Sequence, residues 1–596
     1  MKEFFKNVFA SILGMALFFA IFGFFGFISI VGMITSGSSS VKVSDNSVFV
    51  LKLNGVVEER ASEDISSSIG LLFGKDMGKV GLDDILASIA KARDNKDIKG
   101  IYIETGDATF DSPATIQRIR KALVDFKESG KWIVAYGDNY EQGSYWLASI
   151  ADEMYMSPTG MINLRGVGVK EEFYAGLYDK LGVKIFAPRV GKYKSYPEPY
   201  IRKDMSPENR EQRMAYFQGV WNNMLKDISA SRKVSVESLN QMVNDSVMAF
   251  AVQQDYVKAK LIDKLLYEDE IKGVVKKKLA LGEDDNIVQL TLSDMINLKS
   301  SMKENGEKIA VYYAVGGITD TDQSGLTGEA CIVGSTMSAD LHKLAEDDDV
   351  KAVVIRVNSG GGSSVASEQI WHAMEQLKGK KPVVVSMGGV AASGGYMISA
   401  GANCIFAEPT TLTGSIGVVG LVKNYNGLFT DKLGVTFDDI TTNTYTNWIE
   451  DLIYAKDNVN EQKFMQGYVN RDYDRFLAIV ADGRKMRKEQ VHEVAQGRIW
   501  LATDALRIKL IDQIGSLDDA VKKAAQLAKL DEYHTAAYPA QSSWIEQLMK
   551  KKEKTTYLDN ELKAILGDQY EAWVFLRTIN KRNMLQARLP FSTKMK

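Results

Sequence analysis

The chain of 596 residues contains two copies of one sequence pattern, and their displacement constrains the fold more than any other feature. Residues 393–402 align with residues 142–151 at a displacement of 251 positions. Residues 431–435 align with residues 179–183 at a displacement of 252. A period this long excludes a solenoid of short repeats. It predicts two tandem domains of one fold, each of ordinary to large domain size.

The two copies differ at the positions that could carry chemistry. Ser393 of the second copy aligns with Gln142, whereas Lys194 of the first copy aligns with Thr446. One copy therefore holds a serine without the lysine, and the other holds a lysine without the serine. We interpret this complementary loss as a sign that the two halves build one active site.

Hydrophobic patterning predicts an α/β fold. Apolar runs of strand length, such as 132–136, 352–357 and 383–386, alternate with amphipathic helical stretches such as 364–377. Buried strands that are joined by helices are typical of a mostly parallel sheet. The formal net charge is −3 with mixed signs, so nucleic acid is not an expected partner. Two cysteines outside any metal-binding spacing predict no metal, and no motif calls for a cofactor.

The N-terminus differs from the globular body. Residues 8–35 contain no charged residue and are long enough to cross about 30 Å of hydrocarbon. No A-x-A cleavage site follows, which favours an uncleaved signal anchor over a cleaved signal peptide, although the latter stays open. Lys2 and Lys6 precede the apolar run, so the positive-inside bias puts the body outside the cytoplasm.

These features predict five regions along the chain. We expect a cytoplasmic stub and transmembrane anchor (1–35), a linker (36–48), a first repeat with the lysine (49–300), a second repeat with the serine (301–535) and a tail (536–596). The tail is basic at 550–552 and then has a helical pattern. It is expected to be a solvated or packing segment, with contact to a membrane surface as the alternative.

Two glycine-rich segments of the second repeat could serve acyl-transfer chemistry. Residues 358–364 lie between a predicted strand and a helix, and their glycines leave backbone N–H groups free to face a ligand. No phosphate-binding motif accompanies them. Amides of Gly361 or Gly362, together with that of Gly394, could form an oxyanion hole. Ser393 directly precedes Gly394 and is the candidate nucleophile, with a plain helix N-cap as the alternative.

A nucleophilic serine needs a base. The four histidines are His342, His372, His492 and His534, and the repeat marks none of them. Only His372 lies on the helix that follows the glycine loop. Lys194 is the alternative, because the repeat does mark it. A lysine acts as a base only when its pKa falls from ~10.4 to about 7, a change of roughly 4–5 kcal/mol that burial at a domain junction can supply. Taken alone, Lys194 also fits an ordinary solvated lysine.

Several motifs together resemble one known family. They are Tyr193-Lys194-Ser195, Glu198-Pro199, and the segments 204–207, 356–359, 391–396 and 412–417. On these residues the chain resembles the signal peptide peptidase A family in its long, tandem-domain form, the protease IV type. The resemblance implies that Ser393 is the nucleophile, Lys194 the general base and Ser415 a residue that holds the lysine. It also implies two Clp-protease/crotonase-like spirals of ββα units and a bowl-shaped homotetramer. Gly360 stands where the family has proline, which predicts a looser loop.

The expected function is therefore that of a serine endopeptidase with a Ser–Lys dyad. The resemblance implies a bacterial inner-membrane enzyme with a periplasmic catalytic body, which degrades cleaved signal peptides and other unfolded apolar peptides. Three alternatives stay open: a general envelope protease, an acyl-CoA hydratase or isomerase with catalytic carboxylates beside the glycine loops, and a non-catalytic membrane scaffold. Whether Lys194 and Ser393 meet within one chain is also open.

Overall fold

The structure is a computed structural model of the full chain. It describes residues 43–61, 79–298, 305–322, 330–540 and 585–588, together with positions 14, 15 and 18. Except for those three positions, the predicted anchor at 8–35 lies outside the described residues. Among the residues that are described, no helix combines the length and the apolar character needed to cross a membrane.

The first repeat alternates strands and helices, as its hydrophobic pattern predicts. Its strands are β1 (Ser47–Lys52), β2 (Val56–Glu58), β3 (Lys79–Gly81), β4 (Ile98–Glu104), β5 (Thr109–Phe110), β6 (Trp132–Gly137), β7 (Tyr140–Glu141), β8 (Glu153–Met156), β9 (Ile162–Asn163), β10 (Lys184–Phe186), β11 (Lys264–Leu265) and β12 (Gln289–Leu290). Its helices are α1 (Leu82–Asp94), α2 (Pro113–Glu128), α3 (Gln142–Ala148), α4 (Ala175–Leu181), α5 (Glu198–Ile201), α6 (Pro207–Arg232), α7 (Val236–Asp245), α8 (Gln253–Lys258), α9 (Glu268–Lys278) and α10 (Leu292–Asn297).

The second repeat follows the same plan. Its strands are β13 (Glu307–Val315), β14 (Gly317–Thr319), β15 (Cys331–Val333), β16 (Val350–Ser359), β17 (Gly361–Ser363), β18 (Val383–Ala392), β19 (Cys404–Ala407), β20 (Leu412–Gly414), β21 (Val419–Gly420), β22 (Val422–Asn424), β23 (Ile499–Leu501), β24 (Gln513–Ile514) and β25 (Tyr533–Tyr538). Its helices are α11 (Gly334–Glu346), α12 (Ser364–Lys378), α13 (Gly394–Met397), α14 (Trp448–Tyr454), α15 (Val459–Arg484), α16 (Lys488–Val494), α17 (Ala502–Arg507) and α18 (Leu517–Ala528).

Both repeats build the same main sheet. The first has the strand order β12-β1-β4-β6-β8-β11, and the second has β25-β13-β16-β18-β19-β24. All neighbouring pairs in both orders are parallel. The central strands β16 and β18 are mostly apolar and almost wholly buried, as a sheet with covered faces requires. The prediction of two tandem α/β domains of one fold is confirmed.

Each repeat also carries a small second sheet beside the main one. The first has the order β3-β2-β5, and the second has the matching order β15-β14-β17. In the second repeat this sheet continues through a tail strand, β26 (Leu585–Arg588), to β21. The four described tail residues are therefore extended, where the sequence pattern predicts helix. The pairing with two neighbouring strands overrides the local helical preference.

An arm of the first repeat crosses onto the second. Strand β10 pairs antiparallel with β22, and Arg189 forms an isolated bridge with Val419. The backbone of Gly182 lies against that of Gly427, so that a Cβ on Gly182 would meet the Gly427 carbonyl carbon at 2.8 Å. This crossing carries residues 184–195 out of their own domain and leads Lys194 to the other repeat.

Candidate active site

Lys194 and Ser393 are in direct contact although they belong to different repeats. Lys194 Nζ and Ser393 Oγ form a hydrogen bond of 2.7 Å, in which Nζ donates when the lysine is charged and accepts from the serine O–H when the lysine is neutral. Nζ also donates to Ser415 through both the carbonyl oxygen and Oγ, each at 3.0 Å. The three residues that the family resemblance brings forward as nucleophile, base and lysine partner thus form one cluster within a single chain.

The surroundings of Lys194 remove it from water. The side chain is only 1% exposed, and burial lowers the pKa of Lys194 from 10.5 to about 7. Gly497 makes this close packing possible. Its φ is +76°, and a Cβ added there would lie 2.6 Å from Lys194 Cβ. A neutral amine that faces a serine hydroxyl at hydrogen-bond distance is the arrangement that a general base requires.

Ser393 adopts an unusual backbone conformation. It follows directly after β18, with φ at +58° and ψ at −118°. A non-glycine residue in this region costs on the order of 1–3 kcal/mol, and the surrounding contacts must hold it there. Here Ser393 N donates to Gly414 O at 2.8 Å, which continues the parallel pairing of β18 with β20. The sharp turn presents the side chain at the end of the strand, where Ser393 is buried against Lys194.

The predicted oxyanion glycines lie together beside the serine. A Cβ on Gly394 would lie 2.4 Å from Ser367 Oγ, 3.2 Å from Gly361 Cα and 3.3 Å from Gly362 N. Only glycine fits at this approach of two backbones. The amide of Gly361 itself donates to Ser359 Oγ at 3.1 Å. The hydroxyl of Ser359 therefore braces the loop at the point where Gly360 replaces the family's proline.

A buried glutamine ties the lysine segment to the second repeat. Gln212 is 1% exposed on α6. Its Nε2 donates to Tyr193 O at 2.9 Å, and its Oε1 accepts from Ile499 N at 3.0 Å. Gln212 thus fixes the residue before Lys194 against a strand of the other repeat. No motif marks Gln212 in the sequence; the available signal was a polar residue on the buried face of a capped helix.

The glycine loop is anchored to the first repeat as well. Asn358 Nδ2 donates to Asp111 Oδ2 at 2.8 Å, and Asn358 Oδ1 accepts from Val390 N at 3.1 Å. Burial raises the pKa of Asp111 to about 6. No motif marks Asp111, which directly follows residues 106–110, the segment of the first repeat that corresponds to the glycine loop. This position was the only signal of its role.

A buried ion pair connects the two repeats. Arg356 Nε donates to Glu59 Oε1 at 2.5 Å, and both side chains are 3% exposed. Arg356 Nη1 also donates to Ser386 Oγ at 2.8 Å. Burial raises the pKa of nearby Glu408 to about 7. Glu59 and Asp111 are thus hydrogen-bonded to Arg356 and Asn358 at the junction between the repeats, and Glu408 Oε1 lies 3.9 Å from Arg356 Nη1.

The matching positions of the other copy have different surroundings. Gln142 stands where the second repeat has Ser393, and its Oε1 accepts from the amides of Arg165 and Gly166, both at 3.0 Å. Its Nε2 donates to Gly166 O at 3.1 Å. Thr446 stands where the first repeat has Lys194 and is exposed. The first repeat therefore closes its own site with the Gln142 side chain.

The histidines do not form a base for the serine. His372, the one that lies on the helix after the glycine loop, is exposed and contacts Gln376 at 2.9 Å. His492 contacts Tyr473, and His534 contacts Gly306 O. His342 is exposed. All four histidines belong to the described part of the chain, and Lys194 is the basic group that reaches Ser393.

Comparison with known proteins agrees with the repeat. Residues 125–282 and 375–531 match Peptidase family S49, and residues 331–411 match Clp protease. The chain is 34% identical over 583 residues to Protease 4 of Salmonella typhi, a match that covers 95% of this chain and 91% of that protein. It is 34% identical to Protease 4 of Haemophilus influenzae, with 85% and 83% covered. It is 28% identical to the chloroplastic serine protease SPPA of Arabidopsis thaliana, with 82% and 70% covered.

Proposed function

The chain belongs to peptidase family S49 and is a serine protease, and from this premise we propose that Ser393 is its nucleophile and Lys194 its general base. The observation that carries the proposal is the hydrogen bond of 2.7 Å between Lys194 Nζ and Ser393 Oγ. Burial supports it further, because it lowers the pKa of Lys194 to about 7 and so provides a neutral amine near physiological pH.

In acylation, the neutral amine of Lys194 takes the proton of Ser393 Oγ as this oxygen attacks the peptide carbonyl carbon. The carbonyl oxygen gains negative charge and turns towards the amides of Gly394 and Gly362, since the amide of Gly361 already donates to Ser359 Oγ. Collapse of the intermediate breaks the C–N bond, and the Lys194 ammonium donates its proton to the leaving amine. The product of this half-reaction is an ester between Ser393 and the N-terminal part of the substrate.

In deacylation, neutral Lys194 accepts a proton from a water molecule that attacks the ester carbonyl. The second intermediate collapses, and the proton returns from Lys194 to Ser393 Oγ. Ser415, which accepts two hydrogen bonds from Lys194 Nζ, holds the amine in line throughout. No cofactor enters either half-reaction.

Two alternatives from the sequence are less well supported. An acyl-CoA hydratase or isomerase would need free carboxylates beside the glycine loop, whereas Asp111 contacts Asn358 and Glu59 contacts Arg356. A non-catalytic scaffold would not need to bury a lysine, since burial opposes its charged form. The Lys194–Ser393 contact favours a working peptidase over both.

We also propose that residues 8–35 anchor the body to the extracytoplasmic face of the bacterial inner membrane. The apolar length of that segment and the lysines at positions 2 and 6 support this orientation. Protease added to intact spheroplasts should then digest the body. Protection of the body until the cells are lysed would reverse the orientation.

The proposed substrates are cleaved signal peptides and other unfolded apolar peptides. An enzyme held at the bilayer by one helix meets the apolar peptides that remain there after protein export. Such peptides carry apolar cores of roughly 7–15 residues and have no fold to protect their backbone. An apolar substrate that excludes water would also help to keep Lys194 neutral, because desolvation disfavours its ammonium form.

We expect a synthetic signal peptide to be cut faster than a polar peptide of the same length. Burial of even one additional apolar side chain contributes roughly 1.5–3 kcal/mol, which corresponds to about tenfold or more in kcat/KM when it acts in the transition state. Mass spectrometry of timed digests measures both the rate and the cut sites, which should lie within the apolar core after small or apolar residues. Equal rates on both peptides would instead favour the general envelope protease.

A homotetramer is the assembly that we propose, and an exposed arm supports it. In the first repeat, β10 pairs with β22 of the second repeat. The equivalent arm of the second repeat, residues 425–455, forms no strand pair within the described chain and meets the first repeat at Gly427. Phe437 is 52% exposed and Ile440 is fully exposed. By analogy with the internal contact, this arm would pack on the first repeat of a neighbouring copy, a head-to-tail contact that closes into a ring.

We therefore expect Ile440→Asp combined with Phe437→Asp to convert the tetramer into single chains. A charge at the centre of an apolar contact is costly to bury. Sedimentation of the detergent-solubilised protein measures the assembled mass. Phe250→Asp is the matched control, because Phe250 is 85% exposed but lies outside the arm. An unchanged mass for the double variant would contradict the arm as the interface.

A further inference from the structure

The tail strand β26 lies between two strands of the active-site region. It pairs antiparallel with β17, where Arg588 is opposite Gly361 and Gln586 is opposite Ser363. On its other side it pairs antiparallel with β21, where Gln586 is opposite Val419. The sheet order is β15-β14-β17-β26-β21, so within the described part of the chain the tail strand joins β17 to β21.

Both neighbours of the tail strand belong to the catalytic surroundings. Strand β17 contains Gly361 and Gly362, the glycines proposed for the oxyanion hole. Strand β21 begins two residues after Gly417, whose Cα lies so near Lys194 that an added Cβ would be 3.3 Å from Lys194 Cδ. Without the tail, these two strand edges would face each other across a gap of one strand. Paired edges of this kind bind an extended peptide through backbone hydrogen bonds.

The register puts one end of the tail strand at the nucleophile. Gly361 and Gly362, which are opposite Arg588 and Ala587, both lie against Gly394, the neighbour of Ser393. The strand therefore runs along the groove from Leu585, and its end at residues 587 and 588 lies beside the segment that carries Ser393. A peptide that is to be cut by Ser393 would have to lie in this same gap, because the oxyanion glycines and the nucleophile both border it.

We infer that residues Leu585–Arg588 occupy the peptide-binding groove as a tethered competitor, so that the C-terminal tail of the chain inhibits its own active site. The inference rests on the proposed function of that site. Forty-four residues separate Ala540 from Leu585, and a tether of such length gives an effective concentration on the order of 1 mM. With an intrinsic dissociation constant of about 0.1 mM, the tail would raise KM about tenfold and leave kcat unchanged.

Kinetics on tail variants provide the first test. Gln586→Pro removes a backbone N–H from the strand and cannot continue regular pairing, while Thr555→Pro changes the tail outside the described strand and serves as the control. We expect Gln586→Pro, and a chain that ends at Ala540, to show a KM for a peptide ester about tenfold below that of the full chain. A synthetic peptide of residues 581–596 should inhibit the shortened chain competitively. An unchanged KM, or no inhibition by the peptide, would overturn the inference.

A cross-link tests the position of the tail without any activity. Gln586 and Val419 are opposite each other in the antiparallel pair, a separation that suits a disulfide between cysteines. Gln586→Cys with Val419→Cys, in a Ser393→Ala background, should form an intrachain disulfide under oxidation. Gln586→Cys with Phe250→Cys is the control pair. The inference is overturned if the test pair forms no disulfide, or if it forms disulfides only between two chains. If no chain with Ser393 and Lys194 present hydrolysed peptides, the proposed function would be refuted. The cross-link would still report where the tail lies, because it does not depend on activity.

Discussion

Ser393→Ala and Lys194→Ala are each expected to abolish hydrolysis of peptide substrates while the fold stays intact. Ser393→Ala removes the attacking oxygen, and Lys194→Ala removes the group 2.7 Å away that accepts its proton. Removal of one member of such a unit typically costs on the order of 10³-fold or more in kcat. Since the two side chains act in one step, the double variant should be no less active than either single variant.

The matched control is Lys192→Ala, because Lys192 lies two positions away but is exposed. It should retain nearly full activity. Lys194→Arg tests the role more sharply, since a guanidinium stays protonated in proteins and cannot act as a base. A serine-directed covalent probe, mapped by mass spectrometry, should label Ser393 in the unmodified chain and lose most of its labelling in Lys194→Arg. Near-full activity of a purified Ser393→Ala or Lys194→Ala variant would refute the assignment.

The second large effect is on pH dependence. Burial lowers the pKa of Lys194 to about 7, and only the neutral amine can accept the serine proton. The active fraction therefore falls about tenfold per pH unit below 7 and reaches a plateau above about pH 8. We expect kcat/KM for a peptide ester to be roughly 30-fold lower at pH 5.5 than on the plateau, as follows from one titrating base.

His372→Gln is the control for this profile. Its ring is exposed and contacts only Gln376 among the interactions described, so its removal should leave the apparent pKa unchanged. Circular dichroism at each pH separates the titration from unfolding. Constant activity between pH 5.5 and 9 would contradict Lys194 as the base. Loss of the titration in His372→Gln would point to a histidine instead.

The strands and the caps were predictable because their signals are local. The apolar runs at 352–357 and 383–386 lie within β16 and β18, and both strands extend further towards the site than the runs themselves. Ser206 directly precedes Pro207, a local pattern typical of a helix start, and Ser206 Oγ accepts from Asn209 N at the start of α6. The tail strand was not predictable, because its extended form depends on pairing with β17 and β21 rather than on its own residues.

The buried polar contacts that hold the site together could not be predicted from the sequence either. Gln212 and Ile499 are 287 positions apart, and Asn358 and Asp111 are 247 apart. Neither pair stands in a repeated motif, and a glutamine or an aspartate in a helix or loop is ordinarily a surface residue. Only their burial at the junction of the repeats turns them into groups that position the lysine segment and the glycine loop.

The sequence by itself determined that there are two domains of one fold and which serine and lysine to consider. The displacement of 251 or 252 positions and the exchange of Ser393 and Lys194 against Gln142 and Thr446 can be read along the chain. Only the tertiary structure decided that the first repeat's arm crosses to the second, that Lys194 loses contact with water there, and that the tail strand pairs with both β17 and β21. The reason is physical. The pKa of a lysine depends on its burial, and the position of the tail strand depends on two strand edges that it can pair with. Burial and paired edges arise only when distant segments pack together.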